Sequence, residues 1–116
     1  MSTVIKMNEY ISCRKGITPD DGEPIYNTIV SSIQNKTSVV LDFDGVEMMT
    51  TAFLNVVIGN LYKDYTSEQL KTMLSFKNLP EAIAIRIKKV TDNAKLFYSN
   101  PEVFTSITDS VINGNN

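Results

Sequence analysis

The sequence contains no histidine and a single cysteine, Cys13, in its 116 residues. The lack of histidine excludes Ser-His-Asp and Cys-His nucleophile systems, the usual zinc ligand sets and the commonest general base near neutral pH. One cysteine excludes an intrachain disulfide and a cysteine metal cluster, as is typical of a reducing compartment. Any enzymatic activity would therefore depend on carboxylates, lysines or hydroxyls.

Long apolar runs and a strong net charge are also missing. No apolar run approaches the ~20 residues that a membrane span needs, and no signal-peptide core follows Met1-Ser2-Thr3. The formal net charge is −2 and the pI is near 5.0, which gives no global reason to expect a nucleic-acid partner. We therefore expect a cytoplasmic protein without a membrane or nucleic-acid partner. The sequence does not indicate an oligomeric state.

Apolar residues along the chain alternate between strand-like and helix-like spacing. Strands are predicted at residues 4–7, 10–13, 39–43 and 71–76, of which the first two form a strand or a hairpin. Helices are predicted at residues 23–35, 50–65, 80–97 and 101–112. Asp20 or Asp21 is the expected cap of the first helix, and Gly59 would allow the second helix to approach a neighbour closely.

This order of elements predicts the α/β class, because strands that are joined through helices run parallel with right-handed crossovers. We expect one small domain over residues 1–112, with a central mixed sheet of about four strands packed against helices. Residues 113–116 are expected to form a disordered polar tail.

The chain is organised around residues 38–53, where a buried strand leads through a turn into a helix start. Asp44-Gly45 is the turn signal. The hydroxyls of Thr50 and Thr51 stand where the pattern becomes helical, which is the position of an N-cap. This strand, turn and helix start is where we look for function.

Asp42-Phe43-Asp44-Gly45 resembles the first motif of haloacid-dehalogenase-type phosphatases. The resemblance implies that Asp42 is a nucleophile, that Asp44 is an acid/base, and that both hold magnesium. It covers only residues 39–46, and no later strand ends in the paired acidic residues that complete such a metal site. The two aspartates are also explained as residues that shape a turn. A magnesium-dependent phosphatase is therefore kept as the alternative, and no cofactor is expected otherwise.

The two threonines at the helix start also have two interpretations. One of them could simply cap the helix, which is worth about 1 kcal/mol. A phosphate on Thr51 would instead place about two negative charges on a surface suited to docking a partner. The same helix start could bind an anionic small ligand. The residues alone leave these possibilities open.

Residues 42–54 resemble the central signature of STAS domains, the superfamily of sulphate transporters and anti-sigma-factor antagonists. In that signature a strand and turn lead to a helix that begins Asp-Ser-Ser-Gly-Leu. Laid over this chain, Thr50 matches the Asp, Thr51 the serine that a partner kinase phosphorylates, Ala52 the next serine and Phe53 the glycine. The chain departs from the pattern at each of these four positions.

The pattern is closer to a divergent STAS-like family of unknown function, in which a phenylalanine follows small hydroxyl residues. This resemblance extends to Arg14-Lys15-Gly16 and to residues 74–90. It implies a non-enzymatic binding module that takes part in partner switching with a histidine-kinase-like ATPase acting as a serine/threonine kinase. A divergent member could bind such a partner without being phosphorylated. The implied partner surface comprises Asp44, Gly45, Glu47, Thr50, Thr51, Ala52 and Phe53, with Thr51 as the phosphorylation candidate.

Four basic residues of the third predicted helix form the remaining charged feature: Arg86, Lys88, Lys89 and Lys95. Such a face could contact an acidic partner or a nucleic-acid backbone. Because Glu81 and Asp92 interrupt it and no exposed aromatic run accompanies it, we interpret it as a solvated face.

Overall fold

Strands and helices alternate along residues 2–99, the part of the chain that the computed structural model describes. The strands are β1 (Ser2–Lys6), β2 (Lys15–Gly16), β3 (Ser38–Asp42), β4 (Met48–Met49) and β5 (Leu74–Lys77). The α-helices are α1 (Pro19–Gln34), α2 (Thr51–Val57), α3 (Ser67–Met73) and α4 (Glu81–Ser99), and short 3₁₀ helices cover Met7–Glu9 and Gly59–Lys63. This is the predicted α/β class.

The strands form two separate parallel sheets. β3 lies between β1 and β5 in a three-stranded sheet, with Leu41 paired to Ile5 on one side and to Phe76 on the other. β2 and β4 form a second sheet of two strands. The prediction of one central mixed sheet of about four strands is therefore not matched exactly, because the strands are divided between two sheets and all pair in parallel. The parallel pairing in the larger sheet was expected from the intervening helices: α1 lies between β1 and β3 in the chain, and α2 and α3 lie between β3 and β5.

The predicted strand at residues 10–13 is absent, which removes the predicted hairpin. A 3₁₀ helix follows β1, and Ser12 makes only an isolated antiparallel bridge to Lys15. Tyr10 and Cys13 are exposed there. Ile11 is the one residue of this segment that packs against the core, and a single apolar side chain gives little reason to extend it into a strand.

One apolar core lies between the three-stranded sheet and the helices. α1, α2, α4 and β3 each contribute almost completely buried residues to this single cluster: Ile25, Ile29, Leu54, Val57, Ile83, Ile87, Val39 and Leu41. Burying each such side chain stabilises the fold by ~1.5–3 kcal/mol. The hydroxyl of Ser32 on α1 donates a hydrogen bond of 3.1 Å to that of Thr3 on β1, which fixes α1 against the sheet.

The helix predicted at residues 50–65 divides into α2 and a 3₁₀ helix. At Gly59, a Cβ atom would lie 3.2 Å from Cγ1 of Val90 on α4, so the predicted close approach is confirmed. The chain changes from α-helical to 3₁₀ geometry where Gly59 packs against α4. Neither α4 nor any other helix of residues 2–99 is long and apolar enough to cross a membrane.

Helix bounds differ from the prediction at two further places. α1 begins at Pro19, with Thr18 at the N-cap position, so Asp20 and Asp21 lie inside its first turn rather than capping it. α3 was missed, and β5 starts only at Leu74. A reciprocal capping box between Thr66 and Gln69 begins α3. The helix predicted at residues 101–112 and the tail at 113–116 lie outside the described residues.

Candidate functional site

Residues 42–53, which we call the signature segment, leave the carboxyl end of β3 and end in the first turn of α2. Phe43 is buried, and the amide of Val46 donates a hydrogen bond of 2.9 Å to its carbonyl, which closes the turn. Asp44, Gly45 and Glu47 are exposed on this turn. The sheet therefore holds one end of the segment while its acidic tip faces solvent.

Asp42 is only 8% exposed, and its own neighbours occupy its carboxylate. Oδ1 accepts a hydrogen bond of 3.0 Å from the backbone amide of Asp44 and another of 3.0 Å from the side-chain amide of Asn78. The bond from Asn78 is the largest cause of a lowered pKa for Asp42, followed by that from Asp44. Both bonds favour the ionised carboxylate. Asp42 therefore joins the end of β3 to the turn after β5.

The surroundings of the two aspartates lack the rest of a phosphatase metal site. A cleft of about 250 Å³ is lined by Lys6, Asn8 and Glu9 together with Asp42 and Asp44. Within residues 2–99 no group of three or more histidine, cysteine, aspartate or glutamate side chains is arranged to hold a metal ion. The two hydrogen bonds that Asp42 accepts give it a structural role in the turn.

Gly45 is required by the backbone of this turn. Its φ is +82°, a conformation that residues with a side chain rarely adopt. A Cβ atom there would lie 2.8 Å from Nδ2 of Asn8. The exposed surface at Gly45 is therefore backbone only.

A tight turn that the sequence did not indicate supports the signature segment from the side. Cys13 and Arg14 have φ values of +53° and +60°, and the amide of Lys15 donates a hydrogen bond of 3.0 Å to the carbonyl of Ser12. Two consecutive positive φ values are typical of a type I′ turn, which usually contains glycine, asparagine or aspartate. None of these is present, so the sequence carried no signal for it.

This turn places β2 beside β4 and fixes the segment by backbone contacts. The amide of Glu47 donates to the carbonyl of Arg14 at 2.8 Å, and the amide of Thr50 donates to that of Gly16 at 2.9 Å. The side chains of Arg14 and Glu47 are 3.9 Å apart and largely exposed, so this ion pair adds little stability. It places one charge of each sign next to the helix start.

The two threonines at the start of α2 have different roles. Thr50 is the N-cap: its hydroxyl accepts a hydrogen bond of 3.1 Å from the amide of Phe53 and donates one of 2.9 Å to the carbonyl of Ile17. Thr51 is exposed, and its hydroxyl makes no hydrogen bond to any residue of the 2–99 range. Thr50 therefore has the structural role, and Thr51 presents a hydroxyl to solvent.

Ala52 and Phe53, in the first turn of α2, differ in exposure. Ala52 is exposed, whereas Phe53 is fully buried. A Cβ atom on Gly16 would lie 3.0 Å from the ring of Phe53, so the glycine of Arg14-Lys15-Gly16 makes room for this ring. Phe53 can affect a partner only by holding α2 in place, because no part of it reaches the surface.

Comparison with known families agrees with this arrangement. A family model described as a STAS-like domain of unknown function (DUF4325) matches residues 21–84, which is more than half of the chain. The chain belongs to this STAS-like family. The resemblance seen in the sequence is thereby confirmed. A search of curated proteins and a search of solved structures each returned no match.

The match of the STAS-like domain includes the whole signature segment and ends in the first turns of α4. Two residues beyond its end, Arg86 makes a contact that sequence reasoning missed. Its Nη1 donates a hydrogen bond of 2.9 Å to the backbone carbonyl of Met49, directly before the two threonines. A side chain that bonds a backbone carbonyl 37 positions away leaves no trace in sequence periodicity. Arg86 therefore does more than line a solvated face.

Proposed function

We propose that this STAS-like domain is a non-enzymatic regulatory module that binds a partner protein through the exposed part of the signature segment. The partner is a histidine-kinase-like ATPase that acts as a serine/threonine kinase, and Thr51 is the residue that it phosphorylates. Phosphate on Thr51 weakens the complex, so the module alternates between partners. Family membership supports a regulatory STAS-type role, and the kinase and the phosphorylation are the parts that we add.

The observation that carries the proposal is that Thr50 and Thr51 differ in exposure and in hydrogen bonding. A kinase needs a hydroxyl that it can reach without unfolding the helix start. Thr50 is half-buried and makes two hydrogen bonds, whereas Thr51 is exposed and makes none to the described residues. Thr51 can therefore accept a phosphate while Thr50 still caps α2.

The surface around Thr51 is also suited to a protein partner. Ile17 is an exposed apolar residue, 48% accessible, whose carbonyl accepts the hydrogen bond from Thr50. Arg14 and Glu47 supply one charge of each sign close by. An apolar contact with a charged rim is the usual composition of a protein interface. The contact surface that we propose therefore adds Arg14 and Ile17 to the residues of the signature segment.

The test is the affinity of the purified ATPase for the domain, measured by calorimetry. Thr51→Glu places a negative charge in the proposed interface, and we expect at least about a tenfold loss of affinity, because like charges and a desolvated carboxylate oppose association. Thr72→Glu is the matched control, since Thr72 is also an exposed helical threonine, on α3. It should leave the affinity unchanged within about twofold.

The proposal is contradicted if the ATPase does not bind, or if Thr51→Glu and Thr72→Glu bind equally well. The natural ATPase to test is one encoded beside the gene for this protein.

A further inference from the structure

Arg86 is placed by α4 at the junction between β4 and α2. Ile83 and Ile87 on the same helix are buried in the core, which fixes the orientation of α4. The guanidinium then reaches the carbonyl of Met49, the last residue before the N-cap Thr50. α4 therefore holds the guanidinium of Arg86 beside the start of α2.

The positive charge of Arg86 is not neutralised by any carboxylate of residues 2–99. The two ion pairs of that range are Arg14–Glu47 and Lys88–Asp92. A guanidinium has five N–H donors in a planar fork, and the bond to Met49 uses one nitrogen. The remaining donors match the oxygens of a phosphate, to which arginine binds in a bidentate manner.

Thr51 follows Met49 by two residues, and three consecutive Cα atoms span at most about 7 Å. A phosphate on Thr51 would therefore be attached two residues from the carbonyl that Arg86 already contacts. Of the two acidic side chains exposed on the turn of the signature segment, Glu47 faces Arg14, and Asp44 lies in neither of the two ion pairs of residues 2–99. α2 has only seven residues, so its own dipole is a weak source of attraction for an anion.

We propose that Arg86 is the residue that recognises phosphate on Thr51. This proposal rests on the proposed function, in which Thr51 is phosphorylated. The guanidinium donates N–H groups to the phosphate oxygens and shares or gives up the carbonyl of Met49. Phosphorylation at α2 is thereby transmitted to α4, because the bond that joins the two elements changes partner.

The test is the second pKa of phosphothreonine at position 51, followed by ³¹P NMR in protein carrying phosphothreonine installed by genetic encoding. A cation next to the phosphate favours its dianion and lowers this pKa. Arg86→Gln should therefore raise it by roughly half a pH unit or more. Lys88→Gln is the matched control, because Lys88 is an α4 cation that is already paired with Asp92. It should leave the pKa unchanged.

Equal pKa values in the Arg86→Gln and Lys88→Gln proteins would overturn the proposal. A merely structural Arg86 would give a lower melting temperature in Arg86→Gln with no change in this pKa, and that result overturns it too. Arg86→Lys should retain part of the effect. If Arg86→Gln does not fold, the guanidinium ¹H–¹⁵N resonance of Arg86 in the unsubstituted chain must move on phosphorylation, and an unmoved resonance contradicts the proposal.

These outcomes are separable from those of the proposed function. The phosphate is installed without a kinase, so failure of the ATPase to bind or to phosphorylate the domain leaves the NMR result intact. Conversely, a partner that binds through Thr51 without recognition by Arg86 would support the proposed function alone.

Discussion

The acidic turn and the threonine pair belong to one continuous segment, yet they use their polar groups in opposite ways. Asp42 is almost buried, and its carboxylate is occupied by Asp44 and Asn78. Thr51 is exposed and its hydroxyl makes no bond within the described part of the chain. The residue whose type most suggests catalysis is therefore the one committed to structure. For locating a candidate functional residue, the exposure and hydrogen bonding of a polar side chain are therefore as informative as its residue type.

The same contrast recurs within the threonine pair. Thr50 and Thr51 are adjacent and chemically identical, but only Thr50 holds the chain in place, by accepting from Phe53 and donating to Ile17. Under the proposed function, the fixed cap at Thr50 keeps the helix start in position while Thr51 is modified.

The largest expected effect is a loss of stability when Phe53, the buried residue that follows the threonine pair on α2, is truncated. Phe53→Ala removes a fully buried ring and should lower the free energy of unfolding by ~3–5 kcal/mol, because a cavity opens between α2 and Gly16. Urea denaturation measures this loss. Phe76→Ala is the control, since Phe76 is 40% exposed and should cost clearly less. Equal losses would mean that α2 is not held by Phe53.

A smaller effect should separate the two threonines. Thr50→Ala removes the cap and should cost about 1 kcal/mol of stability. Thr51→Ala removes an exposed hydroxyl without a partner and should stay within about 0.5 kcal/mol of the unsubstituted protein. The same denaturation experiment compares them directly. A larger loss for Thr51→Ala than for Thr50→Ala would reverse the roles that the structure gives them.

A third effect on stability is expected at the acidic turn, and it should depend on pH. The folded pKa of Asp42 is lowered, chiefly by Asn78, so its ionised form stabilises the fold above the ordinary carboxyl pKa of about 4. That contribution disappears as the pH falls through the lowered value. Asp42→Asn should therefore be less stable than the unsubstituted protein at neutral pH, and the gap should close in acid.

Thermal unfolding at a series of pH values measures the gap. A gap that is constant with pH would show that the Asp42 carboxylate does not stabilise the turn. The same variant tests the phosphatase alternative. Magnesium-dependent hydrolysis of a generic phosphate ester that is present in the unsubstituted protein and lost in Asp42→Asn would make Asp42 catalytic.

Much of the frame could be predicted because it depends on local spacing. The buried strand at β3, the stripe of Ile25 and Ile29 on α1 and that of Ile83 and Ile87 on α4 follow from apolar periodicity. β2 and β4 are two residues long and are held by backbone bonds to distant partners, so no side-chain pattern marks them. The division into two sheets could therefore not be predicted from the sequence.

The roles of individual residues in the candidate site could not be predicted from the sequence. Both threonines fit an N-cap equally well, and only the positions of Phe53 and Ile17 show that Thr50 fills it. Phe53 was predicted as a contact residue, whereas its ring is buried against Gly16. Arg86 donates to a backbone carbonyl. Because every residue has such a carbonyl, the residue types give no signal for this contact.

The measurement that tests the central claim most directly is the affinity of the proposed partner ATPase for Thr51→Glu and for Asp42→Asn, compared with the unsubstituted domain. We predict a loss of at least about tenfold for Thr51→Glu, because the charge enters the proposed interface, and a change within about threefold for Asp42→Asn, because Asp42 is almost buried and supports the turn. Loss of affinity in Asp42→Asn with full retention in Thr51→Glu would contradict the account.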